Sequence, residues 1–282
     1  MRKISDLRPS PIAGLWYSDD PERLGKEIDG YLQAAPQNNF SGEVVAIVVP
    51  HAGHRYSGAV AGHAFRALMG QHPARVAIIS PMHQPYPQPL LTTVHAAYQT
   101  PLGAIPVDRD AVFALDENLR SNLGFGISPV ANDPEHSLEI ELPFLQRVFT
   151  DPFTLIPVMM RDQTRATAWA LGQALAKTLE EYPAILVAST DLSHFYPERI
   201  ANNLDAELLR QVAAFNPDGI FEVEEKGTGF ACGRGALAAV LWAAHALGAD
   251  RVEVVDYSTS GRVTGDLSSV VGYGAAVVLR PL

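Results

Sequence analysis

The chain has 282 residues, 47% of them apolar, and its 31 acidic against 21 basic side chains give a formal charge of -10. That size and balance fit a globular protein with a sizeable core. The lack of any Lys/Arg cluster able to neutralise a row of phosphates argues against nucleic acid or an anionic membrane as partner. The single cysteine, Cys232, excludes an intrachain disulfide and suits a reducing compartment.

The start, MRKISDLRPSP, has basic residues with no apolar stretch behind them, and no later run reaches the roughly 18 apolar residues of a membrane span, so a cytoplasmic protein is expected. Residues 1–17 show no period, and Pro9, Pro11 and Gly14 predict a segment laid across the surface and tucked in by Trp16 and Tyr17. A helix follows. Ser18, Asp19 and Asp20 can supply a capping oxygen, Pro21 fits the first turn, and Leu24, Ile28, Tyr31 and Leu32 recur at helical spacing.

Residues 43–58, EVVAIVVPHAGHRYSG, hold the stretch around which the chain is organised. Val44, Val45, Ile47, Val48 and Val49 read as a buried parallel strand that stops at Pro50-His51-Ala52-Gly53, and the carboxyl end of such a strand is where open α/β sheets keep their ligands. Residues 57–69 then place Val60, Ala61, Ala64, Phe65 and Leu68 on one helical face. Residues 75–80 form a second short strand that also ends at a histidine, in Ser80-Pro81-Met82-His83. His51 and His83, 32 positions apart, come together if their strands are parallel neighbours in a βαβ unit.

A side hairpin and a strand are predicted over residues 90–107, and a helix over 108–120. In Asp133–Glu141, DPEHSLEIE, Ser137 can cap a helix running to about residue 149 and bent by Pro143, which sets Glu135 and His136 at its mouth. Strands over 153–159 and 184–190 flank a helix over 164–180, and the second strand ends in Asp191-Leu192-Ser193-His194. A helix over 197–215, a short acidic one at 222–225, a glycine-rich turn around Cys232, a helix from Gly235, and closing strands over 252–257 and 268–279 complete the pattern. Without a repeat or a long linker, residues 1–282 are expected to form a single α/β domain, with a largely parallel central sheet flanked by helices.

His51, His83, Asp191, His194 and Cys232 fall beside strand ends or in a glycine-rich turn, with Glu135 and His136 at a helix start. Imidazole, carboxylate and thiolate in one cleft describe a transition-metal site. His54, His63, His72, His95 and His245 are assigned no chemistry. Gly227-Thr228-Gly229 lacks the lysine of a phosphate-binding loop, and Ser189 and Ser193 lack a Gly-x-Ser-x-Gly elbow, so neither nucleotide binding nor a serine hydrolase is expected.

Pro50-His51-Ala52-Gly53 with Tyr56-Ser57-Gly58, Glu135-His136-Ser137-Leu138-Glu139, Ser189-Thr190-Asp191-Leu192-Ser193-His194 and Cys232-Gly233-Arg234 together resemble the Memo family, whose bacterial members are called AmmeMemoRadiSam system protein B. The resemblance runs from Ala13-Gly14-Leu15-Trp16-Tyr17 to Val271-Gly272-Tyr273-Gly274-Ala275-Ala276. It implies the fold of the class III extradiol ring-cleaving dioxygenases and a metal cleft with His51, His83 and Cys232 as ligands, with Asp191, His194, Glu135 and His136 as candidate catalytic residues beside them. Fe(II) or copper is the implied metal, with zinc as an alternative. Two departures are visible. Ser80-Pro81-Met82-His83 stands where the family commonly has Gly-Pro-x-His, and His54 stands where a tyrosine commonly follows His-Ala-Gly.

Three functions follow as expectations. The first is a metal-dependent, dioxygenase-like oxidoreductase acting on a small molecule in the cleft. The second is a non-catalytic module that binds a peptide or protein, with AMMECR-type and radical-SAM proteins as the partners the resemblance implies. The third is a zinc hydrolase with Asp191 or Glu135 as base. A homodimer is compatible with the size and class of the protein.

Overall fold

The apolar runs form strands and the periodic segments form helices, as local pattern dictates. In the computed structural model, which describes residues 5–282, β1 (Leu7–Arg8) and α1 (Pro21–Ala34) precede β2 (Glu43–Val49), α2 (His54–Arg66) and β3 (Arg75–Pro81). Three short strands follow, β4 (Leu90–Thr93), β5 (Ala97–Thr100) and β6 (Gly103–Pro106), then α3 (Arg109–Leu123) and β7 (Ser128–Val130). A 3-10 turn at Glu139–Glu141 leads into α4 (Leu142–Val148), followed by β8 (Thr154–Met160), α5 (Arg165–Glu181), β9 (Ile185–Ser189) and β10 (His194–Tyr196). The last third holds α6 (Glu198–Ala213), α7 (Pro217–Glu225), α8 (Arg234–Ala246), β11 (Arg251–Thr259), α9 (Gly261–Thr264) and β12 (Val270–Arg280).

The main sheet has nine strands in the order β10-β12-β2-β9-β3-β8-β4-β7, with β11 also paired to β12. Its centre, β2, β9, β3 and β8, is parallel, while β12 and β4 run antiparallel at its flanks. Both faces are covered, which is why the central strands are apolar at successive positions. Ile47, Val49, Val76, Ile78 and Val187 face a core completed by α1, α2 and α4, whereas Ala46, Val48, Ala77, Ile79, Leu186 and Ala188 face one completed by α3, α5 and α8. Among the described residues no helix is long and apolar enough to cross a membrane.

One topological expectation is corrected. β2 and β3 are not neighbours, because β9 lies between them, paired to β2 through Val48↔Ala188 and to β3 through Ile79↔Ala188. Adjacency along the chain did not decide pairing here; a strand more than a hundred residues later entered the gap. A second correction concerns residues 137–149. Ser137 is not a helix cap: its hydroxyl donates to the carbonyl of Pro81 at 2.7 Å, and the α-helix begins only at Leu142. Pro143 sits in its first turn, where the missing N–H costs nothing, so it starts the helix instead of bending it.

The predicted side hairpin is β5–β6, and β1 adds to it in parallel as a third strand, so the opening segment is anchored and not merely laid on the surface. Other boundaries follow their caps. Asp20, Asp108 and Thr164 each accept a backbone N–H from the first turn of α1, α3 and α5.

Helices α1 and α2 approach so closely that a Cβ at Gly62 would lie 2.9 Å from the carbonyl oxygen of Tyr31. The opposing atom is backbone and cannot rotate away. Gly62→Ala is therefore expected to destabilise the protein by about 1–3 kcal/mol, read as a lower urea midpoint with an unchanged slope.

Candidate metal centre

Because β2, β9 and β3 are parallel, the residues after them emerge along one edge: Pro50-His51, Thr190-Asp191 and Met82-His83. Two bonds stitch the first pair of ends together. The Thr190 N–H donates to the Val49 carbonyl at 2.8 Å, and the His51 N–H donates to Asp191 Oδ1 at 2.8 Å. Glu135 brings in the long loop before α4, since its Oε2 accepts the His83 N–H at 2.6 Å and its Oε1 accepts the N–H groups of His136 and Ser137 at 2.9 and 3.0 Å.

The same carboxylate orients two rings. His83 Nδ1 lies 2.9 Å and His136 Nδ1 3.1 Å from Glu135 Oε1, while His51 Nδ1 lies 2.9 Å from Ser189 Oγ. With their Nδ1 atoms hydrogen-bonded, His51 and His83 have Nε2 left to offer. Ligand nitrogens of His51, His83 and His136 converge to within 4.8 Å of one another. The His83 and His136 rings are nearly parallel at 4.8 Å, and His51 stands edge-on to both.

Cys232 reaches the group from the turn before α8. Its Sγ is 3.1 Å from His51 Nε2 and accepts the Asp191 N–H at 3.2 Å. That turn runs against the end of β9, and a Cβ at Gly233 would lie 2.5 Å from the Ser189 carbonyl oxygen, so only glycine admits the approach.

Burial lowers the pKa of His51 well below its ordinary value, helped by repulsion from His136 and His83, and brings His136 down to about 4. Both rings are thus neutral at neutral pH, the form that binds metal. Burial works against ionisation of Glu135, yet the hydrogen bond and charge of His83 and the Ser137 N–H outweigh it and hold the carboxyl well below the usual range. Burial raises Asp191 to about 7 against the N–H donors of His51 and Ala52, and pushes the Cys232 thiol up, with Asp191 adding to the effect.

The donor set fits a transition metal. Two atoms bound to one ion at about 2.0–2.3 Å lie roughly 3–4 Å apart. The Cys232–His51 spacing of 3.1 Å is already in that range, and the widest gap among the imidazoles, up to 4.8 Å, must close a little. Three imidazoles with a thiolate suit iron, copper or zinc.

The sequence profile of the family described as "Memo-like protein" matches residues 8–277. The chain belongs to the Memo family. It is 32% identical over 273 residues to a MEMO1 family protein of Nitrosopumilus maritimus, covering 95% of this chain and 98% of that one. Identity is 34% over 283 residues to a MEMO1 family protein of Methanopyrus kandleri, with 97% and 99% coverage. A third such protein, from Methanococcoides burtonii, is 34% identical, with 96% of this chain and all of the other aligned.

In this Memo-family protein the strand-end pattern pointed to His51, His83 and Asp191, and the glycine-rich turn to Cys232. His136 was placed at a helix mouth, and its ring joins the other two. His194 lies outside the converging group. Its ring Nδ1–H donates to the Leu192 carbonyl at 2.8 Å, and burial lowers its pKa. Phe195 beside it takes a φ of 64°, where the pairing of β10 with β12 is irregular. His54 is a core residue. It packs against Tyr17 and Phe144 and donates from Nε2 to the Ile140 carbonyl at 2.9 Å.

Four participants were not assigned to the centre from sequence. Ser189 supports His51, Glu141 lies behind Ser189 at 2.9 Å, Trp16 covers His136 with ring centroids 4.1 Å apart, and buried Arg8 donates to the Glu135 carbonyl at 2.7 Å. The Glu-His pair at 135–136 was visible, but nothing local told that one carboxylate would serve two rings.

Proposed function

We propose that this Memo-family protein is a transition-metal-dependent oxidoreductase, dioxygenase-like in its centre, that acts on a small molecule in the cleft. The observation that carries the reading is the convergence of the His51, His83 and His136 nitrogens, with the Nδ1 of His51 held by Ser189 and that of His83 by Glu135. His51, His83 and His136 supply the nitrogen donors and Cys232 the sulfur, with Fe(II) or copper as the metal. When bound, that metal supplies redox chemistry and a Lewis-acid position for oxygen or a substrate oxygen.

The rest of the work falls to the chain. Glu135 keeps the His83 and His136 rings in place from behind. Asp191 accepts the His51 N–H and, through its own N–H, fixes the Cys232 sulfur beside His51. His194, with Nδ1 tied to the Leu192 carbonyl, keeps Nε2 as a proton acceptor at the edge of the group.

The test is metal analysis of protein purified without a tag or chelator, alongside His51→Ala and Cys232→Ala. Stoichiometric iron or copper in the parent and loss of at least tenfold in affinity in each variant is expected. Oxygen uptake coupled to ring cleavage across a panel of catechols supports the oxidoreductase. Bound metal without oxygen uptake would turn the reading towards a binding module, and zinc with hydrolysis towards a hydrolase.

A further inference from the structure

Ser189, fully buried at the carboxyl end of β9, places its Oγ 2.7 Å from the Ser137 carbonyl oxygen, 2.9 Å from Glu141 Oε1 and 2.9 Å from His51 Nδ1. A serine hydroxyl has one hydrogen and two lone pairs, and a peptide carbonyl can only accept. The assignment that satisfies all three contacts therefore sends the Ser189 hydrogen to Ser137 and makes both His51 Nδ1 and Glu141 Oε1 donors. A carboxyl oxygen donates only when it carries a proton.

We infer that Glu141 is a buried neutral acid and a positioning residue: by donating to Ser189 it locks that hydroxyl, so that His51 keeps its proton on Nδ1 and turns Nε2 towards Cys232 and the metal. The surroundings agree. Glu141 is 1% exposed, burial holds its carboxyl well above the usual range, and the charge of Asp191 acts in the same direction. Neutral carboxyls kept as hydrogen-bond donors by burial are an established device in enzyme sites. Here the donor stands two hydrogen bonds from the His51 ring and acts through Ser189, without touching a ligand ring itself.

The inference rests on the metal-centre reading for its purpose but not for its test. In metal-free protein, nitrogen-15 NMR of the histidine rings is expected to show His51 as the Nδ1–H tautomer. Glu141→Gln, whose amide N–H replaces the acid proton, should keep that tautomer. Glu141→Leu and Ser189→Ala should give a mixture with the Nε2–H form. A protonated-carboxyl component of the infrared spectrum at neutral pH, present in the parent and lost in Glu141→Gln, is expected as well, beside any contribution from Asp191. With Co(II) as probe, affinity should fall about 10–100-fold in Glu141→Leu and stay near the parent value in Glu141→Gln. An Nε2–H tautomer in the parent, a protonated-carboxyl signal that is unchanged in Glu141→Gln, or an unchanged single tautomer in both Glu141→Leu and Ser189→Ala would overturn it. Should the tautomer and the band appear as expected while the parent fails to take up Co(II), the role of Glu141 stands and the metal reading falls.

Discussion

Glu135→Ala is expected to lower metal affinity by about 100-fold, at the upper end of what loss of a ligand-orienting group does, because one carboxylate holds two of the three rings. Glu135 Oε1 meets the Nδ1 of both His83 and His136, and the two oxygens together accept the backbone N–H groups of His83, His136 and Ser137. Alanine leaves those donors without the carboxylate that pairs them, a group itself 1% exposed. Each stranded donor costs about 1–3 kcal/mol before relaxation. The metal-free variant should therefore also lose roughly 3 kcal/mol of stability. Glu135→Gln keeps an acceptor for the backbone but turns an amide towards the rings, so it should fall between parent and alanine in affinity. Competition titration with a chelating dye measures the first effect and urea unfolding of metal-free protein the second. Parent-like affinity in Glu135→Ala would remove the orienting role.

Arg8→Met is expected to destabilise the protein by about 3–5 kcal/mol, the cost of breaking a buried ion pair from one side. The Arg8 guanidinium is 1% exposed and binds Asp133 through Nε and Nη2, at 3.0 and 2.7 Å, and Glu139 through Nη1. Its Nη2 also donates to the Glu135 carbonyl, and the group lies over the Tyr98 ring, 4.9 Å from the centroid. Glu139 in turn accepts from Ser10 and from the Tyr17 hydroxyl. Methionine keeps much of the volume but leaves two buried carboxylates without their cation. Arg8→Lys should rescue little, since an ammonium cannot present the planar fork this site uses. Because Arg8 grips the loop that carries Glu135 and His136, metal affinity should drop too, by less than in Glu135→Ala. Thermal and urea unfolding compared across Arg8→Met, Arg8→Lys and the parent will show whether the lysine variant tracks the methionine one.

Much of this protein was legible residue by residue. β2, β3, β8 and β9 are continuous apolar runs because both sheet faces are covered, and α1, α3 and α5 announce themselves by Asp20, Asp108 and Thr164 at their starts. Strand periodicity, capping and turn chemistry act over a few residues, and so they can be read without knowing what lies opposite. The placement of His51, His83 and Asp191 just past strand ends belongs to the same local grammar, joined to the general rule that parallel strands gather their carboxyl ends on one edge.

What pairs with what was a different matter. The sequence order of β2, α2 and β3 pointed to adjacent strands, yet β9 entered between them, and only that insertion puts Ser189 beneath His51 and Asp191 beside Cys232. The convergence of His136 with His51 and His83, the reach of Glu135 to His83, and the burial of Arg8 against Asp133 and Glu139 join residues from 52 to 131 positions apart, where no short-range pattern exists. Sequence alone determined which elements form and which side chains stand at their ends. Tertiary structure decided which of those ends meet, because hydrogen-bond partners for buried polar groups are chosen by the whole packed sheet and not by the neighbours along the chain.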